Sequence, residues 1–147
     1  MFEPSGLVIG IKGETTPMKF LKYILTCLLL TTSLVFSESD IYDQVCSAIR
    51  SGDSKQIAAY FSNTVELTIL KQENVYSKTQ AELILRDFLS KNTPKTFSLL
   101  HKGSSKEGTL YAIGNMTTAK GVVFRVSFFI RQADKKNFIQ ELRFETE

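Results

Sequence analysis

Tryptophan is absent and histidine occurs once, at His101, so no histidine cluster can hold a metal and no Cys/His spacing of the zinc type exists. No cofactor is implied. Cysteine is nearly as scarce: Cys27 falls in a stretch read below as a leader, which leaves Cys46 alone and excludes a disulfide framework. A surplus of one charge is also missing. Eighteen Lys and Arg against fifteen Asp and Glu give +3, too little to imply a nucleic-acid partner without a clustered patch. Lys91, Lys95, Lys102 and Lys106 form a basic rim that reads as a solvated edge, not a nucleic-acid groove. There is neither a glycine-rich phosphate loop nor a serine nucleophile elbow. What is present is 43% apolar residues with 22% charge and no long polar tract, the composition of one globular domain.

The start of the chain reads separately. Met18 is followed by a basic region at Lys19 and Lys22 and by an uncharged run from Tyr23 to Phe36. This is the pattern of a secretory signal peptide over residues 18–37, with Val35 and Ser37 suiting a cut before Glu38. The run is short for a membrane span, and the polar Glu38, Ser39 and Asp40 look like a mature terminus. Lipidation at Cys27 is disfavoured by Thr26 before it and by the brief lead-in of Ile24 and Leu25. Residues 1–17 read as an upstream extension. The expected protein is exported, periplasmic or secreted, and meets the membrane only through its export signal. Its mature part, 38–147, keeps a charge of +2. A domain of that size buries roughly 60 to 70% of its unfolded surface, enough to fold without disulfides.

Within that part, Ile41, Val45, Ala48 and Ile49 make the apolar stripe of a short helix ended by Gly52. Asp53 with Gln56 opens a second helix, whose buried side is expected at Ile57, Ala58, Tyr60 and Phe61. Ser62 to Thr64 reads as a turn, Val65 to Leu70 as a strand, and Val75 with Tyr76 as a brief extended piece. Ser77 with Gln80 is a second capping box, opening the longest helix, with Ala81, Ile84, Leu85 and Phe88 on one face. Four strands follow, over 96–102, 110–118, 122–131 and 137–145, joined by short polar connections that make antiparallel neighbours. The third carries most of the pattern: Val122, Phe124, Val126, Phe128 and Ile130 face one way, and Val123, Arg125, Ser127, Phe129 and Arg131 the other.

The fold class is α+β: three N-terminal helices on a curved, mainly antiparallel sheet that ends in a four-strand meander, a cystatin-like roll. The segments Tyr60 to Leu70 (YFSNTVELTIL), Val75 to Leu89, Phe97 to Gly114 and Phe124 to Ile130 resemble the nuclear transport factor 2-like (cystatin-like) superfamily. More closely they resemble an exported bacterial family of unknown function within it. The resemblance covers nearly all of 38–147 and implies the fold but no activity, because the superfamily hosts isomerases, dehydratases, hydrolases, transport adaptors and binding domains. The Gln-x-Val-x-Gly loop of cystatin inhibitors is absent, so protease inhibition is not implied.

Site residues follow from the faces. With strict alternation His101 shares a face with Phe97 and Leu99. It is then either a boundary histidine or a general base at the mouth of the sheet's concavity, needing a tyrosine or carboxylate within reach. Asp87 lies off the helix stripe and reads as solvated. Tyr60, Tyr76 and Tyr111 could place hydroxyls in a pocket, although tyrosines more commonly bury the ring and leave the hydroxyl at the edge. A catalytic set, if one exists, is His101, Tyr60 and Tyr76, and a ligand pocket would add Phe88 and Tyr111. Cys46 reads as a small buried hydrophobe. On the mixed face Val123, Arg125, Phe129 and Ile139 form either a homodimer interface or ordinary surface with ion pairs of little worth. The expected function is an exported binding or interaction module that takes a small apolar ligand or a protein partner in the concave pocket. The alternative is a small-molecule acid/base enzyme of isomerase, dehydratase or hydrolase type in the same pocket. A structural dimer with a filled cavity is the third reading.

Overall fold

The computed structural model describes residues 40–146, together with the isolated Gly6 and Gly10. The upstream extension, the signal peptide and Cys27 lie outside the described residues. Glu38–Glu147 form one compact unit.

Helix α1 spans Ile41–Ser51. The Asp40 side chain accepts the Tyr42 N–H at its start, and Gly52, at φ 68°, ends it in the left-handed conformation that glycine adopts without strain. Its buried side is Tyr42, Val45, Cys46, Ala48 and Ile49. Helix α2 is shorter, Ser54–Ala59, with Asp53 capping the Lys55 and Gln56 amides. It stops before Tyr60, and Phe61 opens strand β1 (Phe61–Ile69), so the turn expected at Ser62 to Thr64 is extended chain. That stretch reads as a turn from composition but pairs irregularly with its neighbour, a shift lying between Phe61 and Glu66. Strand β2 covers Gln72–Ser77 and leads into helix α3, Lys78–Lys91, whose capping box of Ser77 and Gln80 is formed. Four long strands complete the chain: β3 (Pro94–Ser104), β4 (Leu110–Thr118), β5 (Val123–Ala133) and β6 (Lys136–Thr146).

All six strands form one sheet in the order β2-β1-β6-β5-β4-β3. Every pairing is antiparallel except β1 with β6. The described helices gather on one face, here the inner face, where Phe97, Met116, Phe124, Phe128 and Phe144 are buried. Phe88 of α3 drops onto them, its ring centroid 5.2 Å from that of Phe124 and 5.1 Å from that of Phe144. Each such side chain contributes roughly 1.5–3 kcal/mol of burial, so the inner face is a packed core. The expected alternation of β5 holds from Phe124 to Ile130, whereas Val122 precedes the strand and is exposed.

Two bulges redirect side chains that strict alternation had placed otherwise. In β6, Phe129 opposes Glu141 but Ile130 opposes Ile139, so Gln140 is an extra residue. One inserted residue reverses the facing of the strand beyond it. Ile139 is therefore fully buried in the core, not on the mixed face, and is no part of an interface. In β3, Leu99 opposes Gly114 and His101 opposes Ile113, which leaves Leu100 as the extra residue. His101 accordingly shares the outer face with Ile113 and is exposed, away from the concavity.

Candidate functional site

The outer face of the sheet carries the chemistry. No helix lies over it among the described residues, since the buried sides of all three belong to the core cluster. Cross-strand pairing sets its side chains in rows. One row runs Val75, Glu66, Glu141, Phe129, Tyr111, and the next runs Glu73, Thr68, Arg143, Ser127, Ile113, His101. The Tyr111 and Phe129 rings lie 6.4 Å apart, and with Ile113 they make a half-buried apolar patch, while Val123 stands further along β5 beyond Ser127 and Arg125.

Beside the patch stands an ion cluster. The Arg143 guanidinium donates to Glu66 at 3.0 Å and reaches Glu73 at 3.2 Å, and it also donates to Glu141. That hydrogen bond, with the field of all three carboxylates, raises the Arg143 pKa. Glu66 moves against its partner's interest. Desolvation, followed by the negative charges of Glu141 and Glu73, pushes its carboxyl above the ordinary value despite Arg143. One cation is shared among three acids, so the guanidinium gains what the most crowded carboxylate loses. Next to them, Thr68 is buried and its hydroxyl has no partner among the described residues. A cleft of about 310 Å³ opens here, lined by Ser62, Thr64, Val65, Glu66, Val75, Gln140 and Glu141.

The residues expected to share a pocket do not meet. Tyr76 lies on β2 and His101 on β3, the two opposite edges of the sheet. Tyr76 pairs with the buried Val65 on the inner face, whereas His101 is on the outer one. Phe88 is in the core and Tyr111 is on the outer face. Tyr60 stands apart, its hydroxyl donating to Gln44 at 3.4 Å. It lines a groove of about 480 Å³ between α1 and α2 with Asp43, Ser47, Ala48 and Gln56. Asp87 pairs with Lys91 in the open, as a solvated acid should. Cys46 is buried, and that burial pushes its thiol pKa up, against any nucleophilic role.

Sequence reasoning put Phe129 on this face but missed Glu66, Glu73 and Thr68. The alternation of Val65 to Leu70 does set Glu66 and Thr68 opposite Val65 and Leu67. What the pattern lacks is any sign that β1 docks in parallel against β6, bringing Glu66 to a residue 77 positions away. A second ion pair, Lys102 with Asp40 at 2.8 Å, ties the start of α1 to the far end of β3. There the Tyr42 hydroxyl donates to the Gly103 carbonyl at 2.7 Å and Lys102 stands over the Tyr42 ring.

Compared with known proteins, the family described as a domain of unknown function (DUF4783) matches residues 42–145. Among solved structures the chain is similar to a DUF4783 family protein from Bacteroides fragilis, at 30% identity and a TM-score of 0.67, covering 74% of this chain and 100% of that one. A DUF4783 family protein from Bacteroides uniformis is similar at 26% identity and a TM-score of 0.68, covering 74% and 98% respectively. A design of the nuclear transport factor 2 type with a long sheet shares the fold alone, at 15% identity and a TM-score of 0.56, covering 70% and 94%. Among curated proteins none matches. The nuclear transport factor 2-like fold expected from the sequence is the one observed.

Proposed function

The chain belongs to the DUF4783 family, a domain of unknown function, and from that premise we propose that it is an exported interaction module that engages a protein partner through the outer face of its sheet. The observation that carries this reading is the half-buried patch of Tyr111, Ile113 and Phe129 on a face no described helix covers. Apolar residues grouped on an uncovered sheet and rimmed by charge are what association surfaces present. Of the interface residues expected from sequence, Val123, Arg125 and Phe129 remain on this face. Export rests on the leader pattern at 18–37, which supplies a basic region, an uncharged run and a small-residue cut.

The geometry favours this over acid/base catalysis. Five strand spacings of about 4.8 Å separate β2 from β3, so Tyr76 and His101 stand on the order of 24 Å apart along the sheet and on opposite faces. A general base must lie within hydrogen-bond reach of its partner group. One observation supports a second reading, a small-ligand site: Tyr60 and Asp43 converge on the groove between α1 and α2. Native mass spectrometry of the purified protein at tens of micromolar tests both. A complex abolished by Phe129→Asp in a folded variant is the expected result. A bare monomer with no partner would count against the interaction reading, and a bound small molecule lost in Tyr60→Ala would favour the groove.

A further inference from the structure

We infer that Asn74 and Gln80 close the free edge of β2 to a second chain, by occupying the backbone N–H groups that an added strand would need. The inference concerns the rim of the sheet, a different surface from its outer face, and holds whether or not that face takes a partner.

The sheet is open, so β2 and β3 each present a row of backbone groups with no neighbouring strand. Such edges are templates for pairing with another chain. The two most exposed large apolar side chains among the described residues stand on them, Val75 at 60% on β2 and Leu100 at 49% on β3, which makes strand addition more favourable still. Charge gives β2 little cover. Of Gln72–Ser77 only Glu73 is ionised.

Which groups point outward follows from the turn. Leu70 and Lys71 join β1 to β2, with Leu70 at φ 60°, and Ile69 faces Gln72 across them. A two-residue hairpin makes that flanking pair exchange both of its hydrogen bonds, and bonded pairs alternate with non-bonded ones from there. Asn74 and Tyr76 therefore bond inward to Leu67 and Val65, whereas Glu73, Val75 and Ser77 turn their N–H and C=O groups away from β1. Two of those three N–H groups are already taken. Val75 donates to the Oδ1 of Asn74 at 2.8 Å, and Ser77 donates to the Oε1 of Gln80 at 3.2 Å. Local side-chain acceptors of this kind compete with a ladder for the backbone. A strand laid along β2 would have to break both bonds before its own carbonyls replaced them, which exchanges one acceptor for another and leaves little net gain.

The other edge is interrupted by different means. Pro94 opens β3 without an N–H, the extra residue Leu100 bends it, and Arg50 of α1 donates to the Phe97 carbonyl at 3.4 Å. β3 is thus broken in its backbone, whereas β2 is regular and is closed by side chains. The closure of β2 is the one that a surface substitution can remove.

The test reads the N–H groups first, on protein purified from cells expressing the full chain. Amide hydrogen exchange by NMR, corrected for intrinsic rates, should show Val75 and Ser77 protected at least about 10-fold more than Glu73. Asn74→Ala should bring Val75 down to the level of Glu73, and Asn74→Asp, which keeps the acceptor, should not. Equal protection of Val75 and Glu73 in wild type overturns the inference. Sedimentation velocity then reads the consequence, with thermal melting to confirm folding. Asn74→Val should self-associate at least about 10-fold more tightly than wild type, and Val75→Pro added to it should restore the wild-type value, because proline is tolerated where an edge N–H faces solvent and blocks strand addition. A folded Asn74→Val that associates no more than wild type overturns the closing role. Association that survives Val75→Pro runs through another surface and overturns the edge as its route.

Discussion

Arg143 and Glu66 show how one side chain's gain becomes its neighbour's burden. The guanidinium, fixed by Glu141, Glu66 and Glu73, is held charged. Glu66, half-buried between β2 and β6, has its carboxyl pushed above the ordinary value. A carboxyl whose folded pKa lies above its unfolded one contributes stability below the unfolded value and loses it as pH rises through the folded value. Wild-type stability relative to Glu66→Gln should therefore fall as pH rises from about 4 to 7. Urea titrations at a series of pH values measure this, and a gap that moves the other way would mean Arg143 outweighs the crowding. Next to this pair, the Thr68 hydroxyl is buried without a partner. Thr68→Val keeps the shape and removes the unmet group, so it should stabilise the fold by about 1 kcal/mol. A loss of stability in the same titration would show that the hydroxyl is bonded. Neither residue stood out in the sequence, because the alternation of VELTIL gives a facing and no address.

At the level of strands, periodicity reports which residues share a face only until a bulge intervenes. Through β4 and β5 no extra residue interrupts their mutual register, and the expected inner residues Phe124, Val126, Phe128 and Ile130 are buried. His101 and Ile139 were misplaced for one reason: Leu100 and Gln140 each insert a residue that no propensity marks. Both errors touched proposed sites, so the candidate site was less legible than the fold. The Ser77/Gln80 capping box, the Asp53 cap, Gly52 and the order of elements were readable because each rests on local chemistry, although Asp53 caps without a reciprocal bond from Gln56, its own N–H donating to Ser51. Ile139→Ala tests the β6 bulge. A core position should cost about 2–5 kcal/mol in denaturant, whereas an exposed one would cost less than about 0.5. The hairpin of β3 and β4 has its own constraint at Gly114, where an added Cβ would stand 2.6 Å from both the Phe97 ring and the Ser98 carbonyl oxygen. The carbonyl cannot swing aside as a side chain could. Gly114→Ala should destabilise by about 1–3 kcal/mol, read from the shift in urea midpoint. A midpoint unchanged from wild type would mean the two strands can separate at little cost.

Across the whole molecule, the parallel contact of β1 with β6 joins the first strand of the sheet to its last. It places β1 and β6 in the interior of the sheet with β5 and β4 and leaves β2 and β3 as its edges. Each edge is tied to a helix in a different way. β2 runs straight into α3, and the end of β3 is held to α1 by Lys102 with Asp40 and by Tyr42 with Gly103. The core cluster runs from Tyr42 to Phe144 and draws on helices and strands alike, so no group of elements has a core of its own. A chain starting at Glu38 should then unfold in urea as a single transition, with far-UV circular dichroism and tyrosine fluorescence giving coincident midpoints. Tyr42, Tyr60 and Tyr111 report from α1, the α2/β1 junction and β4, whereas the dichroism sums all the elements. Midpoints that separate would mean that the α1 clamp on β3 can open while the sheet survives. The groove between α1 and α2 would then be a surface whose shape changes with the state of that clamp, and a ligand held there would have to be sought under conditions that keep it closed.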